Sequence, residues 1–258
     1  MKVFRFAAQL ESDSPEVAAL WDLGCQGMQQ EGDLVAAWFE REVALPLEGV
    51  WSEPEDVDWV ARFHETLDPV ELSLLVIAPT HREVVLRAGQ QVMWLDPGMA
   101  FGTGHHATTR MALEALERSS LQGKRILDVG AGTGILAVAA DLLGAAATWG
   151  VDTDALTLPV ARELAERNRV RTVFEHGSLR PEDPSHQCDV LVANLYAEAH
   201  VSLASAYASA LAPNGRLVVT GILEEKVDAV RSALEEVGFT HFEQRTESPW
   251  CLVEARSS

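Results

Sequence analysis

Cysteine is scarce. The chain holds three, Cys25, Cys188 and Cys251, far apart and with no CxxC pair, so no disulfide framework or zinc knuckle is indicated. Buried or incidental thiols are the expectation. Long apolar runs are missing as well: no stretch reaches the roughly 18 to 20 residues of a membrane span, so no membrane partner is expected. The opening Met1-Lys2-Val3-Phe4-Arg5-Phe6 lacks the apolar core of a signal peptide, which makes the cytoplasm the default location. Basic residues are in short supply, with 20 Lys and Arg against 39 Asp and Glu and a formal net charge of -19. Gripping nucleic acid relies on basic clusters, so direct nucleic-acid binding is not expected. Residues 1–56 hold twelve acids against Lys2, Arg5 and Arg41, a balance of -9. Two readings of that acidity stand open, a basic partner or simple solubility. His105 and His106 have no third ligand at a recognisable spacing, so no metal is expected.

What is present is enough chain for one large domain, or one ordinary domain plus a small one, at 258 residues. The alternating Val3-Phe4-Arg5-Phe6 reads as a strand, and Ser14-Pro15-Glu16 as the start of a helix that carries Val17, Leu20, Trp21 and Leu23 up to Gly24. Leu34 to Phe39 reads as another strand, so residues 1–54 suggest a small α+β unit, an open β-α-β. Residues 55–68 are acidic and proline-flanked, and Trp59 to His64 suggests a short helix there; this is the expected linker and a candidate hinge. Residues 69–258 form the expected larger domain. Strand-like runs lie at Leu74 to Ala78 and Gln91 to Leu95, followed by a glycine-rich loop from Pro97 to Thr109.

From Lys124 the elements alternate. Arg125 to Val129, Ala147 to Val151, Asp189 to Ala193 and Arg216 to Thr220 read as strands. Between and after them, Ile135 to Leu143, Leu156 to Asn168, Val201 to Leu211 and Glu224 to Val237 read as helices. This order implies right-handed crossovers and a mostly parallel sheet covered on both faces, an α/β, Rossmann-like fold. Phe239 to Glu243 and Trp250 to Ala255 would finish it with a C-terminal antiparallel hairpin.

The chemistry concentrates at strand ends. A strand running into Gly130-x-Gly132-x-Gly134 and then a helix lets the backbone approach a ligand closely. A dinucleotide fingerprint would need glycine at 135, where Ile135 stands, and it normally lacks the acid Asp128 before the loop. The GxGxG pattern with that acid resembles the S-adenosylmethionine site of class I methyltransferases, where a carboxylate near the loop can hold the cofactor's amino group directly or through water. Asp152, 22 residues after Gly130, stands where an acid accepts both hydroxyls of a ribose. Asp154, just before Ala155-Leu156, suits a helix cap better. Ser178 falls where this fold usually places an adenine-edge contact. Asn194 ends a strand, and its amide oxygen, together with the Leu195 carbonyl, can accept from an amine whose lone pair then faces the cofactor methyl. Asn194 as a helix N-cap is the competing reading. Thr108 and Thr109 could cap a helix beginning near Arg110.

Phe101-Gly102-Thr103-Gly104-x-His106-x-Thr108-Thr109, Asp128-x-Gly130-x-Gly132-x-Gly134, Asp152 and Asn194-Leu195-x-Ala197 together resemble the PrmA family, bacterial methyltransferases of large-subunit ribosomal protein eleven. The resemblance covers essentially the whole chain. It implies an N-terminal domain that recognises the ribosomal protein and a catalytic domain that methylates its lysine side chains and N-terminal amine. It also implies Thr109, Gly130, Asp152 and Asn194 as cofactor contacts, with Phe101 and Thr108 in a loop over the cofactor and Asn194 beside the amine. Ribosomal proteins are typically basic, which gives the acidic N-terminal segment a steering role. No general base is evident, so desolvation and water are expected to deprotonate a lysine of ordinary pKa, about 10.4. Another protein or a small-molecule amine is the alternative acceptor. A nicotinamide-dependent oxidoreductase would need the missing glycine at 135.

Overall fold

The computed structural model describes residues 2–7, 20, 23–25, 27–32, 34–45, 47–53, 68–96, 104–180 and 187–258. Most of the helix expected from Ser14, the linker helix after Trp59, and loop residues 97–103 with Phe101 lie outside them. The chain divides into two compact units, Met1–Glu65 and Thr66–Ser258.

The first unit is a four-stranded antiparallel sheet of β1 (Lys2–Ala7), β2 (Gly27–Glu31), β3 (Leu34–Phe39) and β4 (Val50–Ser52), in the order β2-β3-β1-β4. Alternation along β1 and β3 sends Phe4, Phe6, Val35, Ala37 and Phe39 to one face, where they bury with Leu20 and Cys25. The open β-α-β expectation therefore needs correction. β1 pairs antiparallel with β3, and β2 and β4 are two further strands that the sequence pattern does not predict. Gly27-Met28-Gln29-Gln30-Glu31 lacks apolar alternation, and Val50–Ser52 is too short to show a period.

The second unit holds a seven-stranded sheet ordered β10-β9-β8-β11-β12-β14-β13. Its strands are β8 (Arg125–Val129), β9 (Ala147–Asp152), β10 (Val173–His176), β11 (Cys188–Asn194), β12 (Leu211–Leu223), β13 (Thr240–Glu247) and β14 (Trp250–Arg256). The first five in that order are parallel; β14 runs antiparallel to β12, and β13 to β14. Helices α1 (Ala107–Arg118), α2 (Ile135–Leu142) and α3 (Thr157–Arg167) contribute to one core, and α4 (Ala197–Ala210) and α5 (Val227–Glu236) to the other. The strands serve both by alternation: Ile126, Val190, Val192 and Val218 join the first core, Leu127, Leu191, Ala193, Leu217 and Val219 the second. A three-stranded sheet, β5 (Val70–Glu71), β6 (Leu75–Ala78) and β7 (Gln91–Trp94), also packs into the first core. The strand order reverses between β8 and β11, and open α/β sheets bind ligands at such a switch point.

Boundaries shift in places. α4 starts at Ala197, four residues before the expected Val201, and the turn Glu224–Lys226 ahead of α5 is 3₁₀. α1 begins at Ala107, and its N-cap is His106 rather than Thr108 or Thr109. The His106 ring faces Thr108, with Nδ1 2.7 Å from its hydroxyl and accepting its backbone N–H. With His106 at the cap, Thr108 and Thr109 fall inside the first turn, past the position from which a side chain caps. All three cysteines are buried thiols.

Candidate active site

β8 delivers the chain into the glycine turn, and the turn is stitched to the neighbouring strand: Gly130 and Ala131 both donate to the Val151 carbonyl, at 2.9 and 3.1 Å. Gly130 has φ +74°, and a Cβ there would lie 2.4 Å from Leu195 Cδ2. Bare backbone is therefore required where β8 and β11 converge. From the end of β9, Asp152 reaches back to the turn. Its Oδ2 accepts from the Gly132 N–H at 2.8 Å and its Oδ1 from that of Asp154 at 2.9 Å. Each carboxylate oxygen keeps a further lone pair for a hydroxyl donor. Asp154 closes a local turn on the Leu156 N–H at 2.9 Å, while Leu156 itself is the N-cap of α3 and offers no side-chain bond.

Asn194 does not cap a helix. Tyr196 is the N-cap of α4, and the Asn194 Nδ2 instead donates to the Thr109 hydroxyl at 3.3 Å. That bond orients the amide so that Oδ1 turns away from Thr109, and among the described residues no hydrogen bond ends on Oδ1. The site thus joins the first turn of α1 to the end of β11, 85 residues apart.

A cavity of about 590 Å³ lies over these groups, lined by Thr109, Gly130, Gly132, Asp152, Asn194 and Leu195 among others. A second, of about 240 Å³, shares Gly130, Asp152 and Leu195 with it and carries Ser178 and the exposed Tyr196. The structure thus brings together Thr109, Gly130, Gly132, Asp152 and Asn194, with Ser178 next door. Three expected residues stand behind the wall. Thr108 is buried against His106, and a Cβ on Gly134 would lie 2.5 Å from the Phe174 ring. Asp128 is 1 % exposed and lies under the turn.

The α2 N-terminus explains Asp128. Its N-cap is Gly134, in a left-handed conformation and with no side chain to offer. Asp128 Oδ2 accepts from the Ala137 N–H at 3.2 Å and so provides the missing cap from the preceding strand. Its Oδ1 is buried with no partner among the described residues. Burial above all, with nearby Asp152, raises the carboxyl against the pull of the Ala137 N–H, to about 7 in balance.

These features fit the cofactor that the sequence pattern indicates. A side-chain-free turn, an acid with spare acceptors at the next strand end, and an unsatisfied buried carboxylate oxygen beneath suit a ligand carrying a ribose and positive charge. Two contributors gave no sequence signal, His106 as a cap and Thr109 as the partner of Asn194. A third, Gly221 inside β12, carried the signal of a glycine interrupting a strand.

The sequence profile of the ribosomal protein L11 methyltransferase (PrmA) family matches residues 9–258. A ribosomal protein L11 methyltransferase of Deinococcus radiodurans is 44% identical, with 99% of each chain covered. One from Thermus thermophilus is 43% identical over 98% of each. The crystal structure of a ribosomal protein L11 methylase from Lactobacillus delbrueckii subsp. bulgaricus superposes with a TM-score of 0.68 at 30% identity, covering 74% of this chain and all of that one. The chain belongs to the ribosomal protein L11 methyltransferase (PrmA) family.

Proposed function

We propose that this protein transfers methyl groups from S-adenosylmethionine to amines of ribosomal protein L11, and that lysine side chains and the N-terminal amine are the acceptors. One observation carries the amine chemistry: Asn194, its amide pinned by Thr109, has an Oδ1 that accepts no hydrogen bond among the described residues, at the switch point of the sheet. Thr109, Gly130, Gly132, Asp152, Ser178 and Asn194 hold the cofactor in this reading, with Asp128 and Gly134 setting the turn from behind. Thr108 fixes the start of α1, and Phe101 belongs to the loop over the site by family resemblance.

When bound, S-adenosylmethionine supplies an electrophilic methyl on a sulfonium sulfur and leaves as S-adenosylhomocysteine. The protein's part is to hold and orient. Asn194 Oδ1 and the Leu195 carbonyl accept two N–H bonds of a neutral amine, which leaves its lone pair directed into the cavity. Asn194 does not titrate. Asp152 and Asp154 carry the titratable groups among the described lining residues, and both already accept backbone N–H bonds. Loss of the lysine proton therefore falls to desolvation and water. The acidic first unit, with a balance of -9 over residues 1–56, is the docking element for a basic ribosomal protein.

Incubation with labelled S-adenosylmethionine and purified ribosomal protein L11, followed by mass mapping, tests this. Label on lysines and the N-terminal amine is expected, and it should fall roughly a hundredfold with Asn194→Ala, well beyond the accompanying loss of S-adenosylhomocysteine affinity. Absence of label on L11 would remove the acceptor. Label confined to small amines would replace it.

A further inference from the structure

Behind Asn194 lies a buried polar chain that the cofactor does not need. β12 carries a bulge against β14: Thr220 pairs with Leu252 and Ile222 with Cys251, leaving Gly221 as the extra residue with φ +85°. A Cβ on Gly221 would lie 2.4 Å from the Leu195 carbonyl oxygen and 3.0 Å from Asn194 Oδ1. The bulge therefore presses bare backbone against the two acceptors assigned to the amine. Bulges beside active sites commonly re-aim neighbouring groups in this way.

One carbonyl holds the bulge. Thr220 O accepts from the Leu195 N–H at 3.0 Å and faces Nε2 of His200 at 2.9 Å. A carbonyl cannot donate, so Nε2 carries the proton and Nδ1 is left to accept from the Tyr207 hydroxyl, 3.1 Å away. His200, Tyr207 and Thr220 are all fully buried. Burial pushes the His200 pKa down to about 4 against the opposing pull of the Thr220 and Leu195 carbonyls, so the ring is neutral and its donor arrangement constant at physiological pH.

Packing alone does not call for this pair. The apolar core that Tyr207 joins includes Ala204, Leu217, Val219 and Ile222, and in such a core an apolar pair of similar volume would avoid the cost of burying polar groups. Thr220 O is already satisfied by Leu195. What His200 adds is a second donor that locks the Thr220–Gly221 peptide against Asn194–Leu195.

We propose that His200, oriented by Tyr207, is a positioning residue for the acceptor amine. Through the Thr220 carbonyl and the Gly221 bulge it fixes where the Leu195 carbonyl and Asn194 Oδ1 stand, and so the direction in which the amine is held. The inference rests on the amine-holding role of Asn194 given above.

Tyr207→Phe removes only the hydroxyl that orients the ring, and His200→Gln keeps one donor while losing the ring. In both, kcat for L11 should fall roughly ten- to hundredfold, the cost expected of a misaligned acceptor. S-adenosylhomocysteine affinity by calorimetry should fall far less than kcat does, because Thr109, Gly130, Gly132 and Asp152 keep their places and only Asn194 and Leu195 shift. The Leu195 and Gly221 amide resonances should move in ¹⁵N spectra. Wild-type kcat in both variants would overturn the proposal. So would loss of cofactor affinity in step with loss of folding, since that marks a purely structural pair. Asn194→Ala, run alongside, separates the two failures: full activity there removes the amine-holding reading and this inference with it. A crippled Asn194→Ala beside unimpaired His200 and Tyr207 variants overturns the inference alone.

Discussion

A carboxylate under a helix N-terminus and out of water is pulled in two directions. In Asp128 the N–H of Ala137 favours the anion, but burial with one oxygen unpartnered favours the acid, and the acid gains, with the pKa up to about 7 from 3.8. Between those two values the folded protein binds more protons at this site than the unfolded chain does. Stability contributed here is therefore full below about pH 4 and is lost as pH rises through about 7. Three pKa units correspond to a penalty on the order of 4 kcal/mol at alkaline pH. Asp128→Asn keeps an oxygen for Ala137 and discards the charge. Without cofactor, the variant should melt above the wild type at pH 8 and gain little or nothing at pH 4.5 by scanning calorimetry. An equal gain at both pH values would show that the carboxyl does not titrate in this window. The penalty has a use in the proposed function, because a cationic ligand over the turn would recover it by favouring the anion.

At the scale of elements, α2 is the part on which the site hangs. Ile135 to Ala140 are all buried, so the helix is wrapped on every side, and its start must be tight because Gly134 meets Phe174 and Ala161. Gly134→Ala would put a Cβ 2.5 Å from the Phe174 ring at a φ of +81°. Backbone strain of about 1 kcal/mol or more adds to overpacking of about 1–3 kcal/mol. The larger unit should then melt roughly 5–10 °C lower, and a shift under about 2 °C would mean that Phe174 moves aside at little cost. This packing also explains what could be read from the chain alone. β8, β9, β11 and β14 stood out within a residue or so because each is a short apolar run ending in glycine, an acid or a polar turn. Strands with polar or very short sequences, β2 and β4, left no such trace, because sheet pairing rather than their own composition makes them strands. The site divides along the same line. Asp152, Gly130 and Asn194 sit at strand ends where local sequence marks them. The bond from Asn194 to Thr109, the cap that Asp128 gives α2 and the chain through His200 to Thr220 join residues by folding, and no spacing within one motif encodes them.

For the whole molecule, charge is the property that reaches farthest. With -19 overall and nearly half of that balance in residues 1–56, the protein carries a negative field that would favour encounter with a basic protein over nucleic acid. Such attraction acts mainly on the encounter rate and is screened by salt, with a Debye length of about 10 Å at 0.1 M and about 3 Å at 1 M. Glu40 and Glu48 are exposed acids of the first unit, remote in sequence from the glycine turn and from Asn194. Glu40→Gln combined with Glu48→Gln should lower kcat/KM for L11 severalfold at low salt while leaving kcat at saturation unchanged. The gap between variant and wild type should close as ionic strength approaches 1 M, because a screened field cannot distinguish them. If the two proteins instead keep the same salt slope, the acidity of this unit serves solubility, and the partner is held by other contacts.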